Sequence, residues 1–180
     1  HAGGRPVDDP ELLREVADIV EYPGALYGTF DAHYVRDLPA EVLETCLRHH
    51  QKAFLVVGDG GPLPVFAVAI NIPGDPEGHV RRGHEWVVSG RLADALYFWN
   101  SDRKEPLAAR AAALEGVVLQ KDLGTYAAKS RRVVRFAEAC ADAIGLPPAT
   151  RSALGRAAAL ARCDLVTGLV GEFPELQGVA

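Results

Sequence analysis

The sequence predicts an α+β protein in which a small β-sheet is covered by helices and is followed by an all-helical portion. Two apolar runs, residues 53–57 and 63–71, flank Gly58-Asp59-Gly60-Gly61, which is typical of a β-hairpin turn. Apolar residues at helical spacing precede and follow this hairpin. Both strands are apolar at almost every position, so we expect both faces of the sheet to be covered.

The character of the chain changes near residue 120. Strand and helix patterns alternate before this point, whereas only helical patterns remain after it. We therefore place a boundary at residues 120–125 and predict two domains: a mixed α/β domain over residues 1–122 and a helical domain over residues 123–180.

Composition limits the possible functions. The 180 residues are 48% hydrophobic, enough for a real core, and the net charge of −5 argues against a globally basic nucleic-acid binder. Cys46, Cys140 and Cys163 lie in apolar helical contexts, which indicates buried thiols in a reducing, cytoplasmic protein. No membrane span or signal peptide is visible. The chain lacks methionine and begins with histidine, which suggests a segment of a longer polypeptide.

The first two helices can be placed from their N-terminal capping residues and from the apolar residues that recur at helical spacing. Asp9 is a predicted N-cap, followed by Pro10, and Pro39 opens a second helix after a predicted strand at residues 25–30. The residues expected to face inward are Leu12, Leu13, Val16, Ile19 and Val20 in the first helix, and Val42, Leu43, Cys46 and Leu47 in the second.

The segment Gly83–Trp99 predicts a central core helix. Both tryptophans lie in it, and one side carries Val88, Leu92, Ala95, Leu96 and Trp99. Glu85, Arg91 and Asp94 are charged residues close to that side. Because Arg91 precedes Asp94 by three residues, we favour a structural ion pair. The alternative is a polar cluster that contacts a ligand or RNA.

The second half predicts further helices. One begins at Glu105-Pro106, and a short strand is possible at residues 116–119. Thr125 is a predicted N-cap, and the last helix is predicted from about Pro148 to Leu169 or beyond. The helix after Thr125 ends at Gly145 and should bury Tyr126, Val133, Ala137, Cys140, Ala141 and Ile144.

Motifs for independent chemistry are missing. The sequence has no His-x-x-x-His or Cys-x-x-Cys pair, no Gly-x-Ser-x-Gly elbow and no phosphate-binding glycine loop. We therefore predict no catalytic residue and no metal ligand. Asp164 and Thr167 are polar residues in an apolar context, for which structural capping is favoured over catalysis.

Basic residues provide the candidate functional surface. Lys and Arg hold backbone phosphates in a salt-dependent way, although a solvated helix face is the alternative for each group. The residues predicted to contact RNA are Lys52, Arg81, Arg82, Lys129, Arg131, Arg132 and Arg135.

Several segments, in order, resemble one family. Gly-x-Glu-x-Val-x-x-x-Arg-Leu-Ala-Asp-Ala-x-x-Phe-Trp spans Gly83–Trp99, and Phe173–Gly178 reads Phe-Pro-Glu-Leu-Gln-Gly. These strings are similar to the β subunit of bacterial heterotetrameric glycyl-tRNA synthetases. Further matching positions are Glu21-Tyr22-Pro23, Gly28, Phe30, Leu38-Pro39, Glu41-Val42-Leu43, His50-Gln51-Lys52, Phe54, Asn71, Gln120, Leu123-Gly124, Lys129, Arg132, Asp164-Leu165-Val166-Thr167 and Glu172.

The resemblance implies an internal segment of one subunit of a cytoplasmic α2β2 ligase that joins glycine to tRNA(Gly). The first part would be B3/B4-like and the helical part HD-like, used as a scaffold because no His-Asp pair is present. The resemblance further implies that ATP and Mg²⁺ serve the α subunit, so this segment needs no cofactor. Its partners would be the α subunit and tRNA(Gly).

The sequence departs from the family in the central helix. The family usually has Asn where His84 stands, and Arg where Trp86 and Ser89 stand. This weakens the case that the central helix contacts RNA. Two hypotheses follow: the segment contacts tRNA, or it is a structural module that holds a subunit interface. A hydrolase would require a polar pocket for which no residues are evident.

Overall fold

A computed structural model describes residues 3–179 and confirms the α+β class. The chain forms two compact units, one ending at Trp99 and the other beginning at Asn100. The predicted domain division between residues 122 and 123 lies inside the second unit, and it stays a prediction.

The first unit contains a four-stranded antiparallel sheet in the order β1-β3-β4-β2. The predicted hairpin is confirmed: β3 and β4 pair from Ala53 to the two-residue turn Asp59-Gly60. Gly61 follows the turn at φ +113°, a backbone conformation that favours glycine. The strands are β1 (Arg5–Pro6), β2 (Gly24–Thr29), β3 (Ala53–Gly58) and β4 (Gly61–Ile70).

The two faces of the sheet differ in burial. Leu55, Phe66 and Val68 share one face and are 4%, 0% and 4% exposed. On the opposite face of β4, Ala67 and Ala69 are only half-buried. The expectation that both faces are covered is therefore met fully on one face and partly on the other, although the strands are apolar throughout.

Helices precede and follow the strands of the first unit. Asp9 caps α1 as predicted, accepting from the amides of Glu11 and Leu12. Leu12 and Val16 are buried, but Leu13 and Ile19 are exposed, because a narrow i, i+4 stripe is enough for this contact. The helices are α1 (Pro10–Ile19), α2 (His33–Asp37), α3 (Ala40–Gln51) and α4 (His79–Asp102), which crosses the unit boundary. The four predicted apolar residues of α3 are all buried.

The central helix is confirmed as α4, but not every aromatic residue in it is in the core. Val88, Leu92 and Ala95 are buried, as predicted. Trp86 and Tyr97, which are not on the predicted apolar side, are 79% and 67% exposed. Each residue advances a helix by about 100°, so Trp86 lies about 200° around α4 from Val88.

The second unit is mostly helical, with one small hairpin. Its elements are a 3-10 helix (Leu107–Gly116), β5 (Val118–Gln120), β6 (Gly124–Thr125), α5 (Tyr126–Ala143), α6 (Pro148–Leu160), a 3-10 helix (Cys163–Val166), α7 (Gly168–Glu172) and a 3-10 helix (Pro174–Leu176). The predicted last helix was too long, since α6 ends at Leu160. The expectation of no strand after residue 120 was also wrong, because β6 pairs with β5.

One cluster of buried residues in the second unit connects its first 3-10 helix to α5 and to the second 3-10 helix. Leu114, Ala127 and Cys163 are buried together, with Leu160 and Val166 packed against them. Thr125 caps α5, and Gly145 follows it at φ +66°, both as predicted. The predicted stripe of α5 is only partly correct: Ala141 is buried, whereas Val133, Cys140 and Ile144 are exposed.

Candidate nucleic-acid interface

The polar residues of α4 have different surroundings. Glu85 Oε1 accepts hydrogen bonds from the amide and the hydroxyl of Thr29, at 2.9 and 3.1 Å. It thereby ties α4 to the end of β2. Asp94 is exposed, and its predicted ion pair with Arg91 stays a prediction. Arg91 is half-buried.

Replacing Glu85 by alanine should loosen the end of β2. The Thr29 amide loses an ionised acceptor, and hydrogen bonds to charged groups are worth about 1.5–3 kcal/mol. We therefore expect amide exchange at Thr29 to speed up roughly tenfold or more. Glu85→Gln retains Oε1 and should show a smaller change, and Asp94→Ala on the same helix should show none. Equal rates in all three variants would contradict the proposed tie.

Two of the family-like segments, which are distant in sequence, are joined by hydrogen bonds to one side chain. Asn71 Oδ1 accepts from the amides of Glu21 and Tyr22, at 3.1 and 2.7 Å. The sequence singled out both segments but did not predict their contact, because residues separated by about 50 positions carry no periodic signal. Asn71 therefore has a structural contact that joins the end of β4 to the turn before β2.

Asp164 and Thr167 lie in a capping network. Thr167 Oγ1 accepts from the amide of Val170 at 3.2 Å and donates to the carbonyl of Asp164 at 2.7 Å. The Asp164 carboxylate is 6% exposed, and its Oδ2 accepts from the amide of Gly178 at 2.7 Å. Its other oxygen is buried without a hydrogen-bond partner among the described residues. These contacts hold helix ends and create no evident reaction centre.

The candidate cationic residues of the first unit contact other residues of the same unit. Lys52, which ends α3 at φ +50°, pairs with Glu15. The amide of Arg81 donates to Asp75, and this backbone hydrogen bond lowers the pKa of the Asp75 carboxyl. Arg82 donates to the carbonyl of Glu77 at 2.9 Å.

The four candidate cations of α5 lie on a single element but not on one face. Arg131 pairs with Glu115 at 2.6 Å, and this hydrogen bond lowers the pKa of the Glu115 carboxyl. Arg132 donates to the carbonyl of Leu123 at 3.3 Å. The Lys129 ammonium lies 5.6 Å from the centre of the Tyr126 ring. Arg135 is exposed and has no charged or hydrogen-bonded partner among the described residues.

A cleft in the second unit lies beside these arginines. It measures about 780 Å³, has an alanine-rich floor, and is lined by Arg131, Arg135 and Glu115 among others. Ser130 also lines it, and its hydroxyl oxygen is buried without a partner among the described residues. Cationic side chains beside an open cleft can hold phosphates, whereas no nucleophile with a neighbouring base is present there.

The charge is distributed unevenly between the two units. Up to Trp99 the chain has eight Lys or Arg residues against fifteen Asp or Glu residues. From Asn100 onward it has eleven against nine, a net charge of +2. The overall negative charge therefore comes from the first unit, whereas the unit that contains α5 is net positive.

A polar anchor of the second unit, Asp102, was not predicted from the sequence. Asp102 accepts from the amides of Gly168 and Leu169, at 3.0 and 2.8 Å, and pairs with Arg110 at 3.2 Å. The nearest sequence signal was its position at the polar end of a long helix. A hydrogen bond between residues about 66 positions apart can be recognised only from the folded structure.

Metal binding and membrane insertion are two further classes of function that the structure bears on. Residues 3–179 contain no group of three or more His, Cys, Asp or Glu side chains arranged to hold a metal ion. None of the helices described in the structure is long and apolar enough to cross a membrane.

Comparison with known proteins gives consistent matches over the whole chain. The family model described as glycyl-tRNA synthetase beta subunit matches residues 1–180. The glycine–tRNA ligase beta subunit of Moorella thermoacetica is 46% identical over 178 residues, which cover 98% of this chain and 26% of the relative. Those of Geotalea uraniireducens and Chromohalobacter salexigens are 42% and 44% identical, covering 99% and 96% of this chain and 26% and 25% of theirs.

These matches all fall within the aminoacyl-tRNA synthetases. The chain belongs to the glycyl-tRNA synthetase β subunit family. It spans about a quarter of the length of the curated relatives that it matches. The predicted B3/B4-like and HD-like character of its two parts stays a prediction.

Proposed function

We propose that this chain helps the glycine–tRNA ligase hold tRNA(Gly), through phosphate contacts made by Arg131 and Arg135 on α5. In this proposal it binds and positions the tRNA but does not catalyse. Activation of glycine, with its ATP and Mg²⁺, belongs to the α subunit, with which this chain would assemble. Lys52, Arg81 and Arg82 are secondary candidates, because each already has a contact within the first unit or its own helix turn.

The observation that carries the proposal is the exposed cationic face of a unit that is itself net positive. Arg131 and Arg135 are one helical turn apart, about 6 Å along α5, close to the spacing of successive phosphates. Arg135 has no acidic partner among the described residues, and the Arg131–Glu115 pair has both side chains more than half exposed. Exposed ion pairs contribute little free energy, so little stability is lost when a phosphate replaces Glu115 as the partner of Arg131.

A second candidate function is a structural module without RNA contact. This function is favoured because several candidate cations already have partners within the chain. Lys52 pairs with Glu15, Arg131 pairs with Glu115, and Arg132 donates to the carbonyl of Leu123. In that case the segment would hold the interface with the α subunit or separate other parts of the β subunit. The two candidates differ in their response to charge removal on α5.

Removing both α5 arginines should weaken tRNA binding by the assembled enzyme. We would replace Arg131 and Arg135 by glutamine in the full-length β subunit, assemble it with the α subunit, and measure the Kd for tRNA(Gly) across salt concentrations. Loss of two phosphate contacts should lower the slope of log K against log salt by roughly 1.8 and weaken binding roughly tenfold or more. Arg14→Gln combined with Arg36→Gln removes the same charge from the first unit and serves as the control.

A change of opposite sign makes the test sharper. Glu115→Gln removes the carboxylate that competes for Arg131, so tRNA should bind more tightly in this variant. An unchanged Kd and salt slope in the double arginine variant would reject the RNA contact and leave the structural module. A non-cognate tRNA measured in parallel separates a general backbone contact from recognition of tRNA(Gly).

A further inference from the structure

A row of exposed apolar side chains runs along α5. It consists of Val133, Phe136, Cys140 and Ile144, at successive spacings of three, four and four residues, and is called here the α5 apolar stripe. Val133, Phe136 and Ile144 are 41%, 73% and 72% exposed, and Cys140 is exposed. The helix buries a different side, which carries Ala141.

The stripe continues into a groove beside the β5–β6 hairpin. The groove measures about 590 Å³ and is lined by Leu119, Leu123, Val133 and Phe136, with Lys129 and Arg132 at its edge. Leu123 is itself 53% exposed. A contiguous apolar surface of this kind in water is unfavourable and marks a place where another molecule or segment packs.

The shape of the stripe fits a helix. Its four side chains extend over about 16 Å, three turns of α5, and form a line one side chain wide. Spacings of three and four residues are those by which two helices interlock their side chains. At the far end of α5, the small residues Ala137 and Ala143 flank Cys140 and Ile144, which permits close approach of a partner backbone.

Charge indicates what the partner helix carries. Lys129 and Arg132 border the groove at the N-terminal end of the stripe, and neither has a carboxylate partner among the described residues. A partner with Asp or Glu beside its apolar seam at this end would complete both contacts. An RNA strand could use the two cations and stack on Phe136, but it would leave Cys140 and Ile144 in water. The length of the stripe therefore favours a helix.

We propose that the α5 apolar stripe binds an amphipathic helix of the glycine–tRNA ligase assembly, with its carboxylates against Lys129 and Arg132. The matched relatives are about four times as long as this chain, so such assemblies contain ample further protein. Arg131 lies about 200° around α5 from Val133 and stays free for the phosphate contact proposed above. The two proposals thus use different sides of α5 and can fail independently.

The native thiols provide the test. In the assembled enzyme with full-length β subunit and no tRNA, reaction of Cys140 with a small maleimide is followed by peptide mass spectrometry. We expect Cys140 to react at least about tenfold more slowly than after denaturation, and we expect the same of Cys46 and Cys163, which are buried. Ile144→Asp and the pair Lys129→Glu with Arg132→Glu should each speed up the reaction. Ala139→Asp, about 100° around the helix, should not.

Each other result overturns the proposal in a defined way. Rapid labelling of Cys140 that slows only when tRNA(Gly) is added would identify the stripe as an RNA surface. Rapid labelling with and without tRNA would mean that nothing covers it. Protection that disappears on dilution would assign the stripe to contacts between copies of the assembly. Protection that is unaffected by Ile144→Asp and by the cation variants would mean that something other than the proposed helix shields the thiol.

Discussion

Replacement of Asp102 by alanine is expected to lower the free energy of local opening around α7 by about 2–4 kcal/mol. Its carboxylate accepts from two amides at the start of α7 and pairs with Arg110. The Asp102 and Arg110 side chains are only 16% and 14% exposed, so water replaces little of what is lost. The variant therefore removes a helix cap and leaves a mostly buried guanidinium without its nearest carboxylate.

Amide hydrogen exchange in the full-length β subunit measures this effect locally. The amides of Gly168 and Leu169 should lose protection first. Glu105→Ala is the matched control, because Glu105 lies 3.8 Å from the same Arg110 nitrogen but is 52% exposed. It should change exchange little, and Asp102→Asn should fall between the two. If Asp102→Ala resembled the Glu105 control, the cap would contribute nothing measurable.

Replacement of Gly28 by alanine is expected to destabilise the sheet by about 1–3 kcal/mol. Gly28 is paired with Phe66 across β2 and β4, and the Phe66 ring is completely buried. A Cβ at Gly28 would overlap the ring carbon Cζ and lie 2.7 Å from Cε1. The ring has to leave its rotamer or the strands have to separate, and both cost free energy.

A double substitution identifies the cause. Phe66→Leu removes the ring atoms Cζ and Cε1 that the added Cβ would meet, so Gly28→Ala should cost less in this background than in the native chain. Gly83→Ala in α4 meets no atom within 4 Å and should be neutral or stabilising, since alanine favours helix more than glycine does. An additive double variant would refute the contact between the Cβ and the ring.

The sequence predicted well wherever a local pattern has one physical solution. The Asp9 and Thr125 caps, the β3–β4 hairpin and the buried face of α3 are all set by residues within a few positions of one another. The family followed from short strings, and the comparison confirmed it. Each of these signals needs no knowledge of distant parts of the chain.

The sequence failed where an apolar residue had to be assigned to a partner. Val133 and Ile144 of α5 were predicted to be buried, yet they are 41% and 72% exposed. Hydrophobicity predicts that such side chains seek contact, but it does not specify whether the contact lies within this chain. Similarly, the breaks after Leu160 and the 3-10 conformation of Leu107–Gly116 depend on packing, because alanine-rich sequence supports several helical forms.

The sequence by itself determined the α+β class, the main helices, the hairpin and membership of the glycyl-tRNA synthetase β subunit family. Only the tertiary structure decided which cations are held by carboxylates, that Asp102 caps a helix about 66 residues away, and that one side of α5 is open to solvent. The physical reason is that caps and periodicity act over a few residues. Ion pairs and burial depend on which distant segments the fold brings together.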